Sequence, residues 1–178
     1  MNRGAMRGWG RYLAIGLLPV ALAACNASST PTGSAAETPA AGVGFTADDL
    51  CALVSPADVG AALGTAVNAG VPSGVNAPSC TWQDGGSTVG ATIAATSPSA
   101  VGQIPFGLQG IQGAHLTAVP NLGDAAFFAA GATGPNSELD ISKGGRAITI
   151  TVGISGNFDQ AKQQAAELAI GQAAASHM

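Results

Sequence analysis

Apolar residues recur at every second position in several stretches of this chain, and that period of two predicts strands. Val89, Ala91, Ile93 and Ala95 alternate with Gly90, Thr92 and Ala94, which suits a strand with one buried face. The clearest pattern is a hairpin: Glu138 to Lys143 and Arg146 to Val152 flank Gly144-Gly145, a two-residue turn able to adopt positive φ. Registered on that turn, Ile141 faces Ile148 and Leu139 faces Ile150 on one side. Asp140 then opposes Thr149, and Glu138 opposes Thr151, on a second side expected to be solvated. A one-residue slip would exchange the two sides, so the register is strongly specified. Cys80 to Gln83 reads as another strand, with Cys80 and Trp82 on one face and Asp84-Gly85-Gly86 as the turn after it. Two more strands are expected at His115–Val119 and Asp124–Ala129, broken by Pro120 to Gly123. In the second of these, Phe127-Phe128 places one ring on each face; one is expected in the core, and an exposed second ring would mark a contact patch.

Helix signals lie before and after these strands. Thr46 followed three residues later by Asp49 matches an N-cap arrangement opening a helix that carries Leu50, Cys51 and Leu53. A second helix starts at Ser55 with Pro56 in its first position and Asp58 in its first turn; Val59, Ala62 and Leu63 share a side, and Gly64 stops it. Val67 to Ser79 reads as loop, with Gly70, Pro72, Gly74 and Pro78 as breakers. Ser97-Pro98 opens a short helical stretch weakened by the glycines before Ala114. A closing helix spans Phe158 to Ala174, capped by Asn157, with Ala161, Ala165, Leu168, Ala169 and Ile170 as its packing stripe. Short crossovers and frequent hairpins favour an α+β fold: an antiparallel sheet of about five strands with helices packed on one side.

The first residues follow a different logic. Arg3, Arg7 and Arg11 form a basic start with no acid to offset them, and Leu13 to Leu22 is a mostly apolar run of about ten residues. Such a run is too short to cross a ~30 Å hydrocarbon core as a helix. Ala23 and Ala24 then precede Cys25, as in a bacterial lipoprotein signal. The reading is a signal peptide over 1–24 and lipidation of Cys25, whose thiol would carry a diacylglycerol. Each buried CH₂ contributes ~0.8 kcal/mol, so two or three acyl chains hold firmly. The expected location is the outer face of the cell membrane. Residues 25–44 are rich in Ser, Thr, Pro, Ala and Gly and read as a tether of roughly 20–25 Å mean reach. Thr30-Pro31 and Thr38-Pro39 suit either a plain linker or glycosylation. A single domain is expected over 45–175, followed by a short tail at 176–178.

Charge narrows the partners. Past the leader only Lys143, Arg146 and Lys162 stand against ten acids, a net charge near −7. That excludes nucleic acid, which needs clustered cations, and leaves the acyl anchor as the means of holding a membrane. With Cys25 lipidated, Cys51 and Cys80 remain in an exported, oxidising setting, where a disulfide is the leading reading. A reactive thiol or a metal pair are the alternatives, and no histidine stands near to complete a metal set. A bridge closing about 30 residues contributes roughly 3.6 kcal/mol in the chain-entropy account.

Candidate chemistry is sparse. His115 and His177 are the only histidines; the first is expected on a partly exposed strand and the second in a disordered terminus. His115, Asp124 and a serine would be needed for a hydrolase, without any Gly-x-Ser-x-Gly elbow. Asp48 and Asp49 read as first-turn acids, and Glu138 with Asp140 as a solvated carboxylate pair. Gly85-Gly86 and Gly144-Gly145 lack the lysine of a phosphate loop. No catalytic set, metal site or cofactor is expected.

The frame Cys51, Leu53, Ser55-Pro56 and Cys80-Thr81-Trp82, with Leu122-Gly123-Asp124-Ala125-Ala126, Lys143-Gly144-Gly145 and an Ala-rich final helix, resembles the actinobacterial lipoproteins grouped as domain of unknown function 3558. The similarity runs from about Phe45 to Ala174. It implies an envelope lipoprotein, a paired Cys51 and Cys80, and no catalytic residues to carry over. The expected role is a non-catalytic binding or interaction module for another envelope component. A carrier of an apolar, lipid-like ligand held between sheet and helix is the alternative.

Overall fold

The computed structural model describes residues 44–131, 137–154 and 159–178. Helix α1 (Ala47–Ala52) starts at a capping box: Thr46 Oγ1 accepts the Asp49 N–H, and Asp49 Oδ2 accepts the Thr46 N–H at 2.8 Å. Helix α2 (Pro56–Leu63) is capped by Ser55 and ends at Gly64, whose φ of 70° is open to glycine at little cost. Seven strands follow: β1 (Val71–Ser73), β2 (Ser79–Gln83), β3 (Val89–Thr96), β4 (His115–Ala118), β5 (Ala125–Ala130), β6 (Ser137–Lys143) and β7 (Arg146–Ile154). Helix α3 (Gln160–His177) closes the chain.

The fold is α+β with one antiparallel sheet, in the order β1-β2-β3-β7-β6-β5-β4. Its strand number exceeds the expected five. Part of the difference is β1, which lies inside the stretch read as loop. Pro72 sits within β1, and the strand is tolerated because it is an edge, pairing only with β2. The expected short helix after Ser97 is a 3₁₀ turn at Pro98–Ala100, followed by a second at Phe106–Leu108.

The hairpin register is the one the alternation predicted: Leu139 opposes Ile150, Asp140 opposes Thr149, and Ile141 opposes Ile148. Gly144 and Gly145 have φ of 58° and 77°, as a primed turn demands. Asp124 Oδ2 accepts the Gly144 N–H at 2.8 Å, so the end of one hairpin is tied to the start of β5. On the apolar face, Trp82, Ile93, Leu139, Ile141, Ile148 and Ile150 are fully buried with Leu50, Val59 and Ile170 from the three helices. Each such side chain stabilises the fold by about 1.5–3 kcal/mol. Cys51 of α1 and Cys80 of β2 are joined as a disulfide, Cα–Cα 5.2 Å, beside Trp82.

Helix α3 turns a different side inward than its hydrophobicity suggested. Ala161, Ala165 and Ala169 are exposed and Leu168 is half-buried; of the expected stripe only Ile170 is fully inside. The inward side carries Gln163, Ala166, Glu167, Ile170, Gly171 and Ala174. Alanine is nearly indifferent to burial, so polar partners and close approach set the rotation instead. At Gly171 a Cβ would stand 2.7 Å from Leu139 Cδ2 and 2.9 Å from Ile141 Cδ1. The cap is Asp159, whose Oδ1 accepts the N–H groups of Ala161 and Lys162. The expected cap Asn157 and start Phe158 lie outside the described residues. His177, expected in a disordered terminus, is the last residue of α3. Lys143 Nζ donates to the Ala175 carbonyl, placing a cation at the negative end of the helix.

The second face of the sheet is also not the open surface expected. Asp140 is only 4% exposed, flanked across the ladder by Phe127 and Thr149. Phe127 is half-buried; Gly102 approaches its ring so closely that a Cβ there would stand 3.1 Å from Cε2. The glycine-containing stretch between β3 and β4 thus lies on part of this face. Among the described residues, the exposed aromatic is Phe106, at 89%.

Candidate functional site

The polar face is left open at one end, where β2, β3, β7 and the start of β6 come together. A cleft of about 590 Å³ lies there, within the size range of small-molecule sites. Its floor is built by alternation. Thr81 and Gln83 of β2, Thr92 of β3 and Thr151 of β7 point to this side because their neighbours Trp82, Ile93 and Val152 point into the core. Thr81 and Thr92 are cross-strand partners with hydroxyls 3.0 Å apart. Gly153 of β7 contributes an open shelf: nothing lies within 4 Å of where its Cβ would be. Gly107 and the buried Leu108, from the second 3₁₀ turn, form an apolar wall.

Among the described residues, Glu138 is the one ionisable side chain lining this cleft. Burial, and then repulsion from Asp140 two residues along the same strand, push its carboxyl up to about 7. Burial also raises Asp140, whose Oδ1 accepts the Thr149 hydroxyl at 2.6 Å. The cations of the domain are engaged elsewhere: Lys143 on the end of α3, Arg146 over the Phe45 ring at 4.5 Å, and Lys162 beside Asp159 at 3.7 Å.

Behind the cleft, in the core, stands a network the sequence did not announce. Glu167 is fully buried. Its Oε2 accepts the Ser137 hydroxyl at 2.8 Å, and its Oε1 accepts the Val152 N–H at 3.3 Å and the Gln163 side-chain amide at 3.2 Å. Gln163 Nε2 also donates to the Val152 carbonyl at 2.8 Å. Burial outweighs these donors and the carboxyl rises to about 7. Ser137 and Gln163 reach the cleft wall, so the network borders the cleft directly. The sequence signal was present as spacing: Gln163, Glu167 and Gly171 recur every four residues and so share a helix side.

The other candidates are not gathered into a site. His115 is exposed, its Nδ1 3.0 Å from the Gly113 carbonyl. It pairs with Ala130, whereas Asp124 precedes Ala125 at the opposite end of the β4–β5 ladder, so the two do not meet. Asp48 and Asp49 are first-turn acids of α1, as read. No group of three or more side chains able to hold a metal ion occurs among the described residues. Cys25 lies outside the described residues. No helix among them is long and apolar enough to cross a membrane. Compared with known protein families, curated proteins and solved structures, the chain matches none.

Proposed function

We propose that this chain is a lipid-anchored envelope protein whose folded domain is a non-catalytic binding module, and that the cleft over β2, β3 and β7 is its binding site. The observation that carries this reading is the cleft's lining among the described residues: hydrogen-bonding side chains on the sheet, one carboxyl, and neither histidine nor cysteine. That is equipment for holding a molecule rather than transforming one. The arginine-flanked leader ending at Cys25 supports the anchor, and the Cys51, Cys80-Thr81-Trp82 frame supports kinship with the domain of unknown function 3558 lipoproteins. The alternative, an apolar carrier with its ligand between sheet and helix, loses ground to the packing: α3 meets β6 too closely at Gly171 to admit an acyl chain there.

Two measurements on protein recovered from its own host test the proposal. Mass spectrometry of the N-terminal peptide is expected to find Cys25 first and diacylated; an unmodified peptide running through Ala24 and Cys25 overturns the anchor. Native mass spectrometry is expected to find an adduct that Gly153→Leu, which fills the shelf, removes. A ligand-free mass, together with no specific partner in envelope cross-linking, overturns the binding module.

A further inference from the structure

The chemistry of the cleft narrows its ligand. An anion is disfavoured, because the one ionisable lining group among the described residues is a carboxyl with a second, Asp140, behind it on β6. A metal ion is disfavoured too, because Glu138 belongs to no group of three or more metal-ligating side chains among the described residues. Glu138 is half-buried and accepts no hydrogen bond from any described residue. The groups around it are Asp140 on its own strand, Thr151 across the ladder on β7, Glu167 from α3, and Gly107 with Leu108 on the far wall. None is a cation. A half-desolvated carboxylate without a donor is costly, and it is relieved either by a proton or by a positive group brought from outside. The wall of Leu108 and the bare shelf of Gly153 provide room beside it for an apolar body.

We propose that the cleft takes a small organic cation: an ammonium group against Glu138, carried on a compact, partly apolar body resting over Gly153 beside Leu108. This deepens the binding-module reading and rests on it. Because Glu138 must be ionised to pair with the ammonium, the folded protein binds such a ligand better as pH rises through about 7.

The test is a titration of the full chain in zwitterionic detergent, followed by two-dimensional amide spectra, with three matched probes: cyclohexylmethylamine, cyclohexylmethanol and cyclohexanecarboxylate. The amine is expected to shift the Glu138, Thr151 and Gly153 amides saturably at pH 8. Its affinity is expected to fall about tenfold at pH 6, following the ionised fraction of a group titrating near 7. Glu138→Gln is expected to weaken it by about the same factor and to abolish the pH dependence. Gly153→Leu is expected to abolish the shifts. Equal binding of amine and alcohol, or undiminished affinity in Glu138→Gln, overturns the cation while leaving the cleft as a binding site. Amine binding that survives Gly153→Leu overturns the location, and failure of all three probes overturns the inference. Should Glu138→Gln fail to fold, the pH series on the unaltered chain decides: affinity constant from pH 6 to pH 8 is the refuting result. Failure of the binding-module reading shows separately, in the host-derived mass spectra.

Discussion

Ser137 Oγ donates to Glu167 Oε2 at 2.8 Å, joining the first residue of β6 to the middle of α3 inside the core. The Glu167 carboxyl is held at about 7, above its ordinary 4.5, so the folded state favours the protonated form. Between those values the folded chain binds more protons than the unfolded one, and stability declines as pH rises. A shift of this size corresponds to on the order of 3 kcal/mol. The urea midpoint is therefore expected to fall from pH 5 to pH 8. Glu167→Gln is expected to flatten about half of that slope at most, because Glu138 is raised to about the same value and Asp140 is raised as well, both acting in the same direction. A midpoint that climbs over this range sinks the account.

Gly171→Ala sets two effects against each other. Alanine gains about 1 kcal/mol of helix propensity over glycine. Its Cβ, however, would press on Leu139 and Ile141 at 2.7 and 2.9 Å, and overpacking of this kind costs about 1–3 kcal/mol. Both contacts are side-chain ends on a central strand, hemmed in by Ile150, so net destabilisation is expected in urea denaturation. A more stable variant would show that α3 stands farther from the sheet.

Removing the Cys51–Cys80 bridge, by Cys51→Ser with Cys80→Ser, frees a loop with a sequence separation of 29. The expected loss is roughly 3.6 kcal/mol by the chain-entropy account, measured by denaturation of the double variant against the oxidised parent. Equal midpoints would mean that the unfolded chain gains nothing from release.

Gly70 lies against the same junction. A Cβ there would meet Cys80 Sγ at 2.5 Å and Trp82 Nε1 at 2.8 Å. Trp82 is fully buried, its Nε1 without a hydrogen-bond partner among the described residues. Gly70→Ala is expected to shift Trp82 emission to the red as the indole is levered toward water, and to cost about 1–3 kcal/mol. Unchanged emission and an unchanged midpoint would contradict the close approach.

How legible the molecule was depended on which physical signal each element carries. The β6–β7 register could be read because Leu139, Ile141, Ile148 and Ile150 alternate strictly and Gly144-Gly145 fixes the turn. Helices α1 and α2 could be read because Thr46, Ser55, Pro56 and Gly64 act locally. The rotation of α3 could not, since alanine surrounds it and its inward residues are chosen by Ser137 and by the Val152 N–H, on strands outside the helix itself. The cleft was invisible for a related reason. Glu138 opposite a threonine looks like any solvated strand pair until the stretch between β3 and β4 is laid across the neighbouring residues.

Strand β7 is last among the strands in sequence yet central in the sheet, between β3 and β6. Until residues 146–154 are in place, the earlier strands can pair only as two separate ribbons, β1-β2-β3 and β4-β5-β6, each with its inner border left unpaired. A refolding chain that lacks this last strand is therefore left with two unjoined sheet borders, and the docking of a single segment zips both ribbons together. Lesions in β7 are accordingly expected to show during refolding as precipitation or proteolysis, well before any defect in the finished molecule is noticed.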